Sequence, residues 1–429
     1  MKRYLLVTPL DVRRQPNNRE HHLIEHLASR VPEVWVVYPK RNDQGDRRRR
    51  ISQLLFASFK VHRQRQGVNF LEVDPMFNSP PAMAMDMTRS YRPDGESGTG
   101  TGGNQSRLYL LLNGLGILRD FSYTFFMTLF ILVRIRGRFD VGVGMGPFGS
   151  AVVSLLKKMG IVRCQVYLDR DYEEGFFHNS MRRSFVGWLV GAGIGSADLV
   201  ISINQRLSAL RKQQYGRDTT VITTGVDVDR YYADRKPFTD SPELVYIGNV
   251  THWSGLDLII EGFALIRRQF PGATLKIVGE GLPGYEKMLI DVARRHSIAE
   301  SVTFTGRVEN SEIPDYLAHA HLGIALFRPI PLRAYAFPLK LLEYMAAGLP
   351  VIGNHDMVTE DIILKHDIGA CVDFDTEEFA KVCIEILGDA DRYQRLSSNA
   401  LEAAKQYDWP GLMDREYQLV EDTCGKTKP

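Results

Sequence analysis

The chain of 429 residues contains only four cysteines, Cys164, Cys371, Cys383 and Cys424, with no paired short spacing among them. That scarcity argues against a zinc site and against a disulfide framework, and it points to a reducing cytoplasm. Long apolar runs are also lacking. The longest, Phe121 to Val133, has 13 residues where roughly 20 are needed to span a bilayer, so it reads as a core helix or a surface-docking one. The opening MKRYLLVTPLDVRR is too briefly apolar for a signal peptide and reads as a first buried strand. No Walker loop, zinc-ligand spacing or serine elbow occurs. A net charge of only +2 offers little for a nucleic acid, and none is expected as a partner.

What is present points to an α/β protein. The length suits two domains of roughly 200 residues each, and 44% hydrophobic with 24% charged residues is a globular balance. Short apolar runs ending in turn residues alternate with helical patterns: YLLVTPL, VWVVYP, FDVGVGMG, CQVYLD and DLVISIN in the first half. Such alternation predicts a doubly wound parallel sheet. After a polar stretch from Asp234 to Pro242 the pattern restarts, with LVYIGNV, LKIVGEG, VTFTGRV, LGIALF and PVIGN as five more strands. The expected division is 1–235, 236–408 and a C-terminal helix over 409–429 that returns to the first domain. Pro410 suits the first turn of that helix. Residues 91–106, rich in glycine and serine, read as a flexible loop.

Charge is unevenly spread. Residues 1–70 hold 15 Lys/Arg against 6 Asp/Glu, including the run Arg47 to Arg50. This basic region, with the apolar 121–133 segment, suggests peripheral contact with an anionic membrane at its cytoplasmic face, although a solvated loop also explains such a run.

The stretch with most chemistry is AFPLKLLEYMAAGLPVIGN, residues 336–354. Pro338 favours a first helical turn, while Gly348 and Pro350 end the helix before a buried strand. The helix therefore starts near Phe337, Pro338, Leu339 and Lys340, where unpaired backbone N–H groups attract phosphate and Lys340 adds a charge. Glu343, one turn deeper on the same face, can accept bonds from two ribose hydroxyls. An ordinary amphipathic helix with a Lys–Glu pair is the plainer reading of the same residues.

PLKLLEYMAAGLPVI resembles the donor-binding segment of GT-B glycosyltransferases of family four and related bacterial polysaccharide-synthesis enzymes, in which P-x-K-x-x-E-Y-M-A-x-G-x-P-V-I recurs. LKIVGEG, VTFTGRV, AHAHLGIAL and TTGVDVDRYY resemble further segments of that family in the same order, covering most of residues 220–375. The resemblance implies two facing Rossmann-like domains with a cleft between them, and transfer of a sugar from a nucleotide-sugar donor to a hydroxyl of a glycan, lipid-linked or small-molecule acceptor. It implies that Lys340 meets the donor diphosphate and Glu343 the ribose. Gly306, Arg307 and Val308 would flank the base. Gly248, Asn249, Gly279, Gly281 and backbone amides near Phe337 to Leu339, flanking Pro338, would complete the donor site. No cofactor and no metal are expected. Two departures stand out: His252, Trp253, Ser254 and Gly255 replace the family's usual basic residue, and Tyr335, with Arg333 nearby, stands where retaining members commonly carry a glutamate eight positions before Glu343. Retention is favoured over inversion.

On the acceptor side, Asn17, Asn18, His21 and His22 follow the first strand, and Arg19 is a candidate to steady the departing diphosphate. YLDRDYEEGF places Asp169, Asp171, Glu173 and Glu174 after a strand, where ligand crevices form; Asp171, then Asp169, are the candidate acceptors of the hydroxyl proton. GEGLPG, Gly279 to Gly284, lies late in the chain with Pro283 in its turn, so a dinucleotide role is set aside. The rival functions are a nucleotide-sugar epimerase of the same fold and a non-catalytic partner subunit.

Overall fold

The computed structural model describes residues 2–9, 19–39, 58–63, 67–74, 121, 124–177, 180–231, 239–281 and 284–425. Asn17, Asn18, Arg47 to Arg50 and the 91–106 loop lie outside them. Two compact units emerge. The first is Met1–Thr223 with Leu412–Pro429, and the second is Thr224–Gly411. The division thus falls earlier than residue 235, and the last helix, Trp409–Cys424, contributes to the first unit from Leu412 onward.

In the first unit, β1 (Arg3–Val7), β2 (Glu33–Pro39), β3 (Ser58–Arg63), β4 (Val68–Asp74), β5 (Phe139–Met145), β6 (Val162–Asp169), β7 (Leu199–Ser202) and β8 (Thr220–Val221) form one sheet. Its order is β3-β4-β2-β1-β5-β6-β7-β8. Every pairing is parallel except β3 with β4. Residues 4–7 and 34–38 are buried without alternation, because helices cover both faces of a parallel sheet. The strand sequence reverses direction between β1 and β5, and there the helix Gly146–Lys158 packs closely. A Cβ on Gly144 would stand 2.4 Å from the Ser150 Cα, and one on Gly149 would stand 2.5 Å from the Val7 carbonyl oxygen.

The cysteine reading needs a correction. Cys164 in β6 and Cys424 at the end of the last helix form a disulfide, with Cα atoms 5.6 Å apart and 260 positions between them. Short spacing is the sequence signature of a metal site or a small disulfide scaffold, and it carries no information about a bond between two distant elements.

The second unit has six parallel strands among its described residues: β9 (Glu243–Ile247), β10 (Thr274–Val278), β11 (Val302–Phe304), β12 (Leu322–Ala325), β13 (Val351–Asn354) and β14 (Gly369–Val372). Their order is β11-β10-β9-β12-β13-β14. This is the doubly wound arrangement with its reversal between β9 and β12, the place where such sheets bind ligands outside the strand carboxyl ends. Alternate residues of β9 feed two cores: Leu244 and Tyr246 pack with Phe263 and Phe379, Val245 and Ile247 with Leu341 and Met345. Among the described residues no helix is long and apolar enough to cross a membrane.

Candidate donor and acceptor sites

The helix Leu339–Ala346 starts where the sequence predicted, after Pro338, and no side chain caps it. Its position follows from Tyr344, whose buried hydroxyl accepts from the Ile247 N–H at 2.9 Å and donates to the Ile324 carbonyl at 3.3 Å. One phenol thereby bridges the last turns of β9 and β12. Gly323 makes room for it, since a Cβ there would lie 2.5 Å from the Tyr344 Cγ. The N-terminus of the helix, with amide groups and a positive dipole end, is held at the reversal of the sheet.

Lys340 projects from that N-terminus among aromatic rings. Its Nζ lies 3.6 Å from the centre of the Tyr246 ring and 4.8 Å from that of Phe327. Among the described residues it makes no hydrogen bond or ion pair, so ring faces are its partners. Burial, then the charge of Arg333, push its pKa well below the ordinary lysine value, with Glu343 opposing. Gly248 closes the other side: its φ is 137°, and a Cβ there would stand 3.0 Å from the ammonium. Gly279, φ 144°, approaches Gly248 so closely that a Cβ would meet the Gly248 carbonyl oxygen at 2.0 Å. These glycines let the loops after β9 and β10 touch, and the Gly279 N–H continues to the Gly306 carbonyl at 3.1 Å.

Glu343 lies one turn further along. The Tyr231 hydroxyl donates to its Oε1 at 3.0 Å, leaving the second oxygen for another donor. Burial raises the pKa of its carboxyl group, against the pull of Tyr231, Lys340 and Arg230. Tyr231 sits in the TTGVDVDRYY segment, but its contact with Glu343 spans 112 positions and no local pattern announces it. Asn249 and Arg307 are exposed, whereas Gly281, Phe337 and Pro338 are half-buried.

The first unit holds the acceptor candidates, and here the geometry revises two of them. Asp169 is buried and gives both carboxylate oxygens to Arg211, at 2.9 and 3.1 Å. Ser202 donates to it as well, at 3.2 Å, and Glu174 pairs with the same guanidinium. The arrangement fits a structural ion-pair cluster and not a proton acceptor for a sugar hydroxyl. Arg19 is similarly committed: it donates to the carbonyls of Ile222 and Thr223 at 2.9 and 2.6 Å and pairs with Glu416 at 2.6 Å. It ties the end of the unit to the last helix instead of facing a diphosphate. Asp171 is half-buried and accepts from the Tyr172 N–H at 2.9 Å. His21 and His22 are half-buried, His21 lying 3.1 Å from Glu25. Glu173, one of the four acids of YLDRDYEEGF though not a first choice as proton acceptor, rests against Gly146, and burial followed by the Asp171 charge pushes its pKa up to about 8.

Residues 228–403 match the family of glycosyl transferases group 1. The matched span lies within the second unit. A glycogen synthase of Mycobacterium tuberculosis is 28% identical over 225 residues, 52% of each chain. A GDP-mannose-dependent alpha-(1-6)-phosphatidylinositol monomannoside mannosyltransferase from the same organism is 29% identical over 207 residues, 44% of this chain and 52% of that protein. The chain spans about half the length of the curated relatives it matches. Solved structures share the GT-B fold over nearly the full length. Sucrose-phosphate synthase from Thermosynechococcus elongatus has a TM-score of 0.68 at 15% identity, covering 98% of this chain and 99% of that one. Anabaena HepE, solved with UDP, has a TM-score of 0.66 at 18% identity, covering 98% and 100%. The Lys340 and Glu343 pair therefore lies inside the matched group 1 region.

Proposed function

We propose that this protein is a glycosyltransferase whose second unit holds a nucleotide-sugar donor and which moves the sugar to a hydroxyl of a glycan, lipid-linked or small-molecule acceptor. One observation carries the reading: the half-buried Lys340 ammonium, set over two aromatic rings with no hydrogen bond or ion pair among the described residues, stands beside an uncapped helix start at the reversal of a doubly wound sheet. A cation is kept there at a cost that an incoming diphosphate would repay. Glu343, with one oxygen steadied by Tyr231, is placed to accept from the ribose. Lys340 and the helix amides supply the positive charge that the departing diphosphate requires, so the reading needs no metal; chelator treatment that abolished transfer would contradict it.

Acceptor activation is assigned to Asp171, and Asp171→Asn should lower kcat far more than donor affinity. Retention of anomeric configuration is the course the sequence resemblance favours, and NMR of the product's anomeric centre tests it. The stripe Phe121, Phe125, Leu129 and Val133 is exposed, with Arg136 and Arg138 beyond it, which supports docking on an anionic bilayer at the cytoplasmic face; failure to bind phosphatidylserine vesicles at low salt would remove that part. The central experiment is a screen of UDP, GDP and ADP for thermal stabilisation, followed by product analysis. A glycosidic product with released nucleotide supports transfer, whereas an epimerised sugar nucleotide would establish the isomerase.

A further inference from the structure

The helix Gln205–Tyr215 follows β7. Asn204 caps its start, accepting from the Leu207 N–H at 2.8 Å, and Gly216 closes it in the left-handed region at φ 67°. Arg211, inside this helix, is 0% exposed. Its guanidinium spends its donors on one stretch of chain. Nε and Nη2 meet the two oxygens of Asp169 at 2.9 and 3.1 Å, and Nη2 also reaches the Asp171 carbonyl at 3.2 Å. Nη1 bonds Glu174, whose second oxygen lies 3.3 Å from Nη2, and adds a bond to Gln214 of its own helix at 2.9 Å.

One planar fork therefore holds the start, the middle and the end of the segment that leaves β6. A further tie comes from the opposite side, where Arg170 pairs with Glu20, buried on the helix Arg19–Arg30. Gly175 completes the bend by closing onto Tyr172, since a Cβ there would meet that ring at 2.3 Å. Asp169, Arg170 and Glu174 are thus committed to the protein's own charges, while the carboxyl groups of Asp171 and Glu173 stay half-buried beside the strand end. Two carboxylates against one guanidinium leave a negative charge in excess in a place shut off from water, and burial raises the pKa of Asp169 in spite of Arg211. Apolar side chains of similar volume would fill the space with less loss of hydration. They would not direct the backbone, which the rigid geometry of a guanidinium does.

We propose that Arg211 is the positioning residue of the acceptor side: its fork sets the backbone path of residues 169–174 and so holds Asp171 where it takes the acceptor's proton. This rests on the transferase reading above and adds a residue, too deeply buried to touch a substrate, on which acceptor turnover depends. Nucleotide binding, assigned to the second unit, should not feel its loss.

The test reads turnover, binding and local order separately on the full-length chain. Turnover is hydrolysis of UDP-glucose, GDP-mannose or ADP-glucose with water as the acceptor, followed as released nucleoside diphosphate. The bond from the anomeric carbon to phosphate breaks, one to the water oxygen forms, and Asp171 takes the water's proton. Wild type is compared with Arg211→Lys, which keeps the cation and loses the fork, and with the combined variant Asp169→Asn, Glu174→Gln, Arg211→Met. The combined variant leaves no unpaired charge behind and should fold, as circular dichroism would show. Both variants should lose roughly ten- to a hundred-fold in kcat, the scale of a small misplacement of a reacting group. Calorimetric affinity for UDP, GDP or ADP should stay within about two-fold of wild type, as expected of independent sites. Turnover equal to wild type in either variant overturns the proposal. So does a loss of turnover matched by an equal loss of nucleotide affinity, which would mean general loosening of the fold. Hydrogen exchange across residues 169–176 decides the clamp without any turnover: faster exchange in Arg211→Lys upholds it, and unchanged exchange overturns it. If wild type binds none of the three nucleotides and turns over none of the three sugars, the transferase reading is what fails.

Discussion

Replacing Lys340 with methionine should improve stability and damage function at once, and the two signs together identify the residue's role. Methionine keeps the length of the stem and its contact with Tyr246 and Phe327 while deleting the charge. Without ligand, the half-buried lysine ammonium has given up part of its water and gained ring faces, at 3.6 and 4.8 Å. Ring faces return about 2 kcal/mol to a desolvated cation, less than the several kcal/mol that the loss of hydration costs. The net strain is on the order of 1 kcal/mol, which for a unit of this size raises Tm by about 2–4 °C in the variant. With ligand the sign reverses, because a charge-assisted bond to phosphate worth about 1.5–3 kcal/mol is gone, a loss of roughly ten-fold to more than a hundred-fold in diphosphate affinity. Differential scanning fluorimetry with and without the best nucleoside diphosphate reads both effects; wild type at 100 times its Kd should gain about 2.7 kcal/mol, and the variant little. Binding should also take up protons, since Lys340 is held below its ordinary pKa until an anion arrives, so affinity falls as pH rises through the depressed value. A variant that melts lower and binds equally well would show that Lys340 is only a packing residue.

Three further outcomes follow from named contacts. Tyr231→Phe removes the hydroxyl that steadies Glu343 at 3.0 Å, and should reduce affinity for a nucleotide several-fold by calorimetry while leaving binding of inorganic diphosphate unchanged. Glu173, held up to about 8 by burial and then by Asp171, binds its proton more tightly folded than unfolded, so its contribution to stability is full below the unfolded value and is lost as pH rises toward 8. Glu173→Gln should therefore melt close to wild type at pH 5 and progressively above it by pH 8, as thermal melts across that window would show. Cys424→Ser should cost about 2–5 kcal/mol in denaturant unfolding of the oxidised protein. Alkylation and mass analysis of the unfolded, unreduced wild type should label Cys371 and Cys383 alone.

The sequence was legible where burial is two-sided. Strands such as LVYIG and LKIVG are continuous apolar runs because helices cover both sheet faces, and each ends in a glycine whose positive φ creates the turn. It was silent where structure depends on long-range pairing. The hairpin of β3 and β4, SFKVHR with VNFLEVD, reads as mixed polar sequence, β8 has two residues, and β14 is the half-exposed GACV. The helix start at Leu339 was visible through local proline and glycine chemistry. Asp169 looked like a site acid because its partner Arg211 is 42 positions away. Arg19 was misread for the same reason, with Glu416 nearly the length of the chain distant.

The donor site illustrates why its decisive residues are small or structural as often as charged. Lys340 and Tyr344 are four positions apart and so lie on one face of the helix. Once the Tyr344 hydroxyl joins the ends of β9 and β12, the direction of Lys340 is determined, over Tyr246 and toward Gly248. A methyl group at Gly248 would crowd the ammonium and would also need a backbone φ of 137° that side chains avoid. A methyl group at Gly279 would push against the Gly248 carbonyl and pull the two loops apart. The electrostatics of the site are therefore set by close backbone approach: it holds the half-buried ammonium over ring faces, where an arriving anion is a stronger partner than the rings.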